Sequence, residues 1–341
     1  MILSVLFRSI ELGTLYNNII MNRFFDLTLK VLKRKVYPVF FNQKDIPCLN
    51  IPSDIEGVNA IIHKAIEAGQ PYMIARFGAF EVSAVANYKG VRDNPHSILA
   101  YLHGDINEWW WNKSIIEHLK NNAGFFPNTI LNVQKFGELM LEDSKQVDLL
   151  GSWCKEEFYL SEELINAQKV NLGDIRPNFY WDGIAPCWPQ ALKGKRVLMI
   201  HPFVDTMKKQ YEKRELLFPN KNFLPEYTLL TLKSVQSIGG ICEFESWFDA
   251  LNYMKSEMNK IEYDVCIIGC GAYGFPLAAH AKRTGHVAIH LGGITQLMYG
   301  IYGNRWINQN YWKPLFNEHW VRPSESEKPQ TANKVEGACY W

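Results

Sequence analysis

"CIIGCGAYGFPLAAHAKRTGHVAIHLGG", residues 266–293, decides the fold. An apolar run stops at Gly269 and opens into Gly269-x-Gly271-x-x-Gly274. A helix-forming segment, 276–285, closes at Gly285, and a second apolar run ends in His290, Gly292 and Gly293. Strand, glycine turn, helix, strand is the order of a βαβ unit. The runs are continuous rather than alternating, as in strands covered on both faces.

Outward from this unit the same alternation continues. "KRVLMIHPF" (195–203) reads as a strand, "DTMKKQYEKRELLF" (205–218) as a helix, and "TLLTLKSVQ" (228–236) as a strand. "SWFDALNYMKSEMNKI" (246–261) reads as a helix, with Ser246 as N-cap and Asp249 three residues on. "ITQLMYGIYG" (294–303) begins a further helix. In the first half, "GVNAIIHKAIEAG" (57–69), "YMIARFG" (72–78) and "AFEVSAVANY" (79–88) add helix, strand and helix. The expectation is an α/β fold with a Rossmann-like, doubly wound, mostly parallel sheet. Residues 100–190 read as a mostly helical, aromatic-rich insertion, with Trp109, Trp110, Trp111 and Trp153. Residues 1–50 read as an N-terminal helical extension and 51–341 as the α/β domain, with 195–310 its clearest nucleotide-binding units. The polar tail from His319 onward is expected to cross the surface and dock its last residues.

Composition narrows the function classes. Lys and Arg number 36 against 35 Asp and Glu, so no global field draws the chain to nucleic acid. Seven cysteines at scattered positions form no C-x-x-C pair, which points to reduced thiols rather than a disulfide framework or zinc site. "MILSVLFRSIELGTLYNNII" is apolar but broken by Arg8, Glu11 and Asn17-Asn18, short of the ~20-residue span of a membrane helix. No small-residue cleavage site follows it, so a secretory signal is not expected. Phe25, Leu29, Leu32 and Val36 then recur at helical spacing beside Lys30, Lys33, Arg34 and Lys35. Such a helix lies on an anionic membrane surface or packs on its own domain.

Ligands of open parallel sheets bind beyond the carboxyl ends of the strands. Those ends carry Arg76, Gly78 and Glu81; His201; Gly269, Gly271, Tyr273 and Gly274; and His290, Gly292, Gly293 and Gln296. Glycine lets backbone N–H groups approach a phosphate, and a helix N-terminus adds partial positive charge. A nicotinamide site needs an acid about 20 residues after the glycines. Here the next strand ends in His290, and no Asp or Glu lies between Gly271 and Gly303. Lys208, Lys209, Lys213, Arg214 and Arg305 are further candidate cations, and Asp182 between Trp181 and Trp188 a candidate sugar-binding or basic carboxylate.

"IARFGAFE", "RVLMIHPF" with "QYEKRELLF", "CIIGCGAYG", "HLGGITQLMYGIYGNRW" and "VEGACYW" together resemble bacterial glycosyltransferases of the GT-D fold. That family was first catalogued as a domain of unknown function among surface-polysaccharide genes. The resemblance spans about residues 55–341. It implies a nucleotide-sugar donor as co-substrate (a UDP-sugar favoured) and a glycan or lipid-linked acceptor; the expected place is the cytoplasm, where the basic N-terminal helix, outside the resemblance, would bring the enzyme to the inner face of the plasma membrane if the acceptor is lipid-linked. It also implies an Asp-x-Glu motif, in an R-F-G-D-x-E context, holding Mg²⁺ or Mn²⁺. Here Ala79 stands at the aspartate position and only Glu81 remains. One carboxylate binds such ions poorly. Glu81 is then the base for the acceptor hydroxyl or the partner of Arg76, with Asp182 the second candidate base. Two other readings stay open: an NAD- or S-adenosylmethionine-dependent enzyme using the glycine loop, and a non-catalytic module of a polysaccharide assembly complex.

Overall fold

The computed structural model describes residues 23–44, 50–93, 96–177, 187–237, 242–307, 309–310, 312–329, 332 and 338–341. Its frame is one seven-stranded sheet: β1 (Tyr72–Ala75), β2 (Leu149–Ser152), β3 (Gln168–Asn171), β4 (Arg196–His201), β5 (Thr228–Lys233), β6 (Val265–Ile268) and β7 (Val287–His290). All pairings are parallel and the order is β3-β2-β1-β7-β6-β4-β5. The doubly wound α/β expectation holds.

The longer helices among the described residues are α1 (Arg23–Val31, continued by Leu32–Val36 and Tyr37–Phe40), α2 (Ile55–Ala68), α3 (Ala79–Asp93), α4 (Lys113–Ala123), α5 (Ile130–Ser144), α6 (Val204–Tyr211), α7 (Trp247–Met258) and α8 (Gly274–Arg283). Local chemistry sets their limits. Asp54 accepts from the Gly57 N–H at the start of α2, and Ser246 from the Asp249 N–H at the start of α7. Gly285, at φ +97°, ends the α8 segment as expected from its position.

Strand residues alternate between two cores. Met73, Ala75, Leu198, Ile200, Cys266, Ile268 and Ala288 pack beneath α3, α4, α5, α7 and α8. Ile74, Val197, Met199, Val265, Ile267, Val287 and Ile289 pack against α2, α6 and the 3₁₀ segment Gly292–Tyr299. Period-2 side-chain direction makes this split, and burial on both faces explains the unbroken apolar runs.

Several expectations are corrected. Residues 100–190 contain β2 and β3 as well as helices; each strand is only four residues long, too short to declare a period. The 205–218 segment breaks after Tyr211, with a separate turn at Arg214–Leu217. The segment after His290 is 3₁₀ rather than α-helical. β5 stops at Lys233, so 234–237 leave the sheet.

Cys154, Cys187, Cys242, Cys266, Cys270 and Cys339 are free thiols, and burial pushes Cys187 up to about 11. Among the described residues no helix is long and apolar enough to cross a membrane. The expectations for residues 1–22 lie outside the described residues.

Candidate functional site

The carboxyl ends of β1, β4, β5, β6 and β7 open into one cleft of about 210 Å³. Its wall includes Arg76, Gly78 and Glu81 after β1, His201 at the end of β4, and Ser234 after β5. Gly269, Gly271 and Tyr273 follow β6; Gly292, Gly293 and Gln296 follow β7. The glycine turns at 78, 271 and 292 thus share one space. Helices after neighbouring strands pack on opposite faces, α3 and α8 on one, α6 and 292–299 on the other. Divergence of that kind leaves a crevice at the strand ends.

Arg76 is held between two surfaces. Its guanidinium carbon lies 4.8 Å from the centre of the Trp153 ring. On the other side, Gly292 sits at φ +70°, and a Cβ there would come 3.1 Å from Arg76 Nη1. Trp153 is fixed in turn: its Nε1 donates to the Phe77 carbonyl at 2.9 Å, and the Glu157 carboxylate accepts from the Trp153 and Cys154 N–H groups at 3.1 and 3.0 Å. Burial lowers the Arg76 pKa, with Glu81 opposing that effect; a guanidinium stays charged nonetheless.

Glu81 is 9 % exposed, and its carboxyl folds back over Gly78, filling the space a side chain there would take. Burial raises its pKa; its own backbone N–H and the charge of Arg76 partly offset the rise.

The two imidazoles are neutral. His201 Nδ1 accepts from the Phe203 N–H at 3.0 Å, which places its proton on Nε2. His290 Nδ1 faces the Ile268 carbonyl at 3.3 Å, which places its proton on Nδ1. Burial lowers His201 to about 3; burial together with Arg76 lowers His290 to about 3. They serve as hydrogen-bonding groups, and among the described residues Arg76 and Arg305 are the cations of the wall.

Arg305 Nη1 donates to the Tyr340 hydroxyl at 3.0 Å, and its guanidinium lies 4.6 Å from the centre of that ring. The ring rests on Gly293, where a side chain would collide with it. Segment 338–341 is stitched to the cleft rim by Arg305 N–H to the Cys339 carbonyl (2.8 Å) and Gln296 Nε2 to the Tyr340 carbonyl (3.2 Å). The tail docks its last residues, and Tyr340 and Trp341 become cleft wall.

Three polar atoms on wall residues are buried without a partner: Ser234 Oγ, Gln296 Oε1 and Trp341 Nε1. An unmet buried polar group costs about 1–3 kcal/mol. No side chain caps the 3₁₀ turns beginning at Gly271 and Gly292, so their first N–H groups keep donor capacity.

Some expected residues stand elsewhere. Lys209 is exposed and Arg214 lies 5.3 Å over the Tyr211 ring; neither lines the cleft. α6 begins at Val204 and runs away from the strand ends, so at 1.5 Å per residue Lys209 is about 7.5 Å along it. Gly274 is also absent from the wall: its Cα packs against the His290 ring, where any side chain would overlap. Asp182 lies outside the described residues. Trp153, Ser234, Ser237, Tyr340 and Trp341 were not singled out from sequence. Ser234 follows the end of β5, but the strand expected from sequence ran on to Gln236 and hid that end.

Among the described residues the donor set does not fit a resident divalent cation. Among the described residues no three His, Cys, Asp or Glu side chains are placed to share a metal, and the cleft wall offers the single carboxylate of Glu81.

No curated protein and no solved structure matches the chain. A family model described as the GT-D fold-like domain matches residues 186–298. That span contains β4 to β7 and leaves out β1 with Arg76 and Glu81. The half-sheet that delivers His201, Ser234, the glycines of the β6 turn, His290 and Gly292 to the cleft is therefore similar to the GT-D fold-like domain.

Proposed function

We propose that the chain is a glycosyltransferase that moves a sugar from a nucleoside-diphosphate donor, UDP-sugar favoured, to a glycan or lipid-linked acceptor of bacterial surface polysaccharide. One observation carries the reading: three glycine turns, two arginines and three unpaired buried polar atoms meet in a single cleft at the strand ends. In the transfer, the acceptor oxygen forms a bond to the anomeric carbon. The bond from that carbon to the diphosphate oxygen breaks, and its electron pair leaves on the diphosphate. Arg76, Arg305 and the uncapped N–H groups at Gly271 and Gly292 meet the charge that builds there. Each such donor is worth about 10²–10³ in rate where it acts on the transition state.

The acceptor's proton goes to Glu81. Burial raises the basicity of that carboxylate above an ordinary glutamate, and Arg76 keeps its ionised form accessible. Held this way, the diphosphate requires no resident metal. The dinucleotide alternative lacks its acid: the strand after the glycines ends in His290, buried and neutral.

Titration calorimetry with UDP, GDP, NAD and S-adenosylmethionine tests the reading. UDP or GDP should bind, and equally well in EDTA; binding of NAD or S-adenosylmethionine alone overturns it. With a panel of nucleotide sugars, Glu81→Gln should abolish turnover while nucleotide affinity stays within about threefold. Complete inactivity of the wild type would favour the non-catalytic module instead.

A further inference from the structure

Helix α1 is apolar on two sides. Its inner side, Phe25, Leu29 and Leu32, packs on Tyr101, Trp109 and Trp110, and Asp26 accepts from Trp110 Nε1 at 3.0 Å. Lys33 Nζ lies 4.1 Å over the Tyr101 ring, and Gln43 Nε2 ties the segment to the Leu102 carbonyl. The helix is thus anchored to the domain through one face. A helix docked this way ordinarily turns a polar face outward. This one turns outward Leu27 and Val31, then Arg34 and Lys35 one turn on, then Val39 and Phe40.

Among the described residues, seven of the 13 exposed large apolar side chains fall between 24 and 41, with Val39 at 72 % and Phe40 at 73 % exposed. The charge there is mostly positive, with Lys44 paired to Asp105 at 3.0 Å. Residues 23–44 hold six Lys and Arg against a single acid, Asp26, which is already paired with Lys30 at 2.8 Å.

We propose that this outer face is a docking surface for an anionic lipid bilayer, with α1 lying in the plane of the headgroups. Leu27, Val31, Val39 and Phe40 enter the acyl boundary while Arg34 and Lys35 meet lipid phosphates. Charge decides between this occupant and a second copy of the chain. A two-fold contact would set Arg34 and Lys35 against their own counterparts in an apolar interface. An anionic membrane neutralises them. This inference stands apart from the chemistry of the cleft.

The test is sedimentation of the full chain with vesicles of phosphatidylcholine, or of phosphatidylcholine and phosphatidylglycerol in equal parts. The protein should pellet with the anionic vesicles only, and less in high salt. Leu27→Glu with Val31→Glu, and separately Arg34→Glu with Lys35→Glu, should each lower partitioning at least tenfold. Their melting temperatures and nucleotide affinity should be unchanged, because the altered side chains point away from the domain. The proposal fails if the wild type ignores anionic vesicles or if both double variants pellet like the wild type. It fails equally if the wild type is a solution dimer that Leu27→Glu with Val31→Glu dissociates.

Discussion

The Arg76 guanidinium lies 4.8 Å from the centre of the Trp153 ring, joining a residue at the end of β1 to one at the end of β2. The indole stiffens a side chain that otherwise has many rotamers, and Gly292 leaves room for it on the other side. Trp153→Ala should therefore weaken UDP binding about 3–10-fold, the scale of a partly exposed cation–π contact. Trp153→Phe should keep most of the affinity. Arg76→Lys should lose more than Trp153→Phe, since an ammonium neither stacks nor binds a phosphate in a fork. Calorimetry with UDP reads all three; equal affinities would remove the stacking role.

Two glycines separate stability from activity. A side chain at Gly274 would overlap the buried His290 ring, which has nowhere to go. Gly274→Ala should cost about 1–3 kcal/mol, as overpacking does, and lower the melting temperature. At Gly78 the obstacle is the far end of a flexible side chain, the Glu81 carboxyl. Gly78→Ala should displace that carboxyl, leaving stability nearly unchanged and turnover strongly reduced.

Burial of neutral His201 and His290 links folding to pH. Each is lowered from 6.5 to about 3, so between those values the unfolded chain binds more protons than the folded one. Their stabilising contribution is complete above pH 6.5 and is lost as pH falls toward 3. The slope reaches about 1.4 kcal/mol per pH unit for each group. His201→Asn, which retains an acceptor for the Phe203 N–H, should lose about 2–3 kcal/mol less than wild type between pH 7 and 4.5. Glu81 shifts in the opposite sense in both proteins and cancels in the difference. Denaturant melts at the two pH values decide it; parallel losses would place the His201 proton elsewhere.

Ser234 should show opposite signs in two measurements. Its Oγ is buried and unpaired in the free protein. Ser234→Ala removes that unmet group, so the melting temperature should stay level or rise. If Oγ waits for a ligand, UDP affinity should fall about 3–10-fold in the same variant, roughly one hydrogen bond. A simultaneous loss of stability would mark Ser234 as structural.

Much of the site was legible because an apolar run ends where the chain leaves the sheet. That alone located Arg76, His201, the glycines after β6 and those after β7. The same reasoning missed β2 and β3, whose "LLGS" and "QKVN" are too short to show a pattern, and with them Trp153. It placed Lys209 and Arg214 near the cleft because they follow His201 closely in sequence, though α6 carries Lys209 away and Arg214 lies in the separate turn beyond it. Tyr340 was reachable only as part of a docking tail, with nothing to say that its ring would rest on Gly293 and receive Arg305.

By itself the sequence determined which residues stand at the carboxyl ends of β1, β4, β6 and β7, since period, burial and glycine placement are local properties of the chain. Only the tertiary structure decided which of those ends are neighbours: β1 beside β7 and β4 beside β6 bring turns from remote segments into one cleft. It also set the charge of that cleft. Whether an imidazole is cationic depends on everything that surrounds it, and here the surroundings leave the histidines neutral and the positive charge on two arginines.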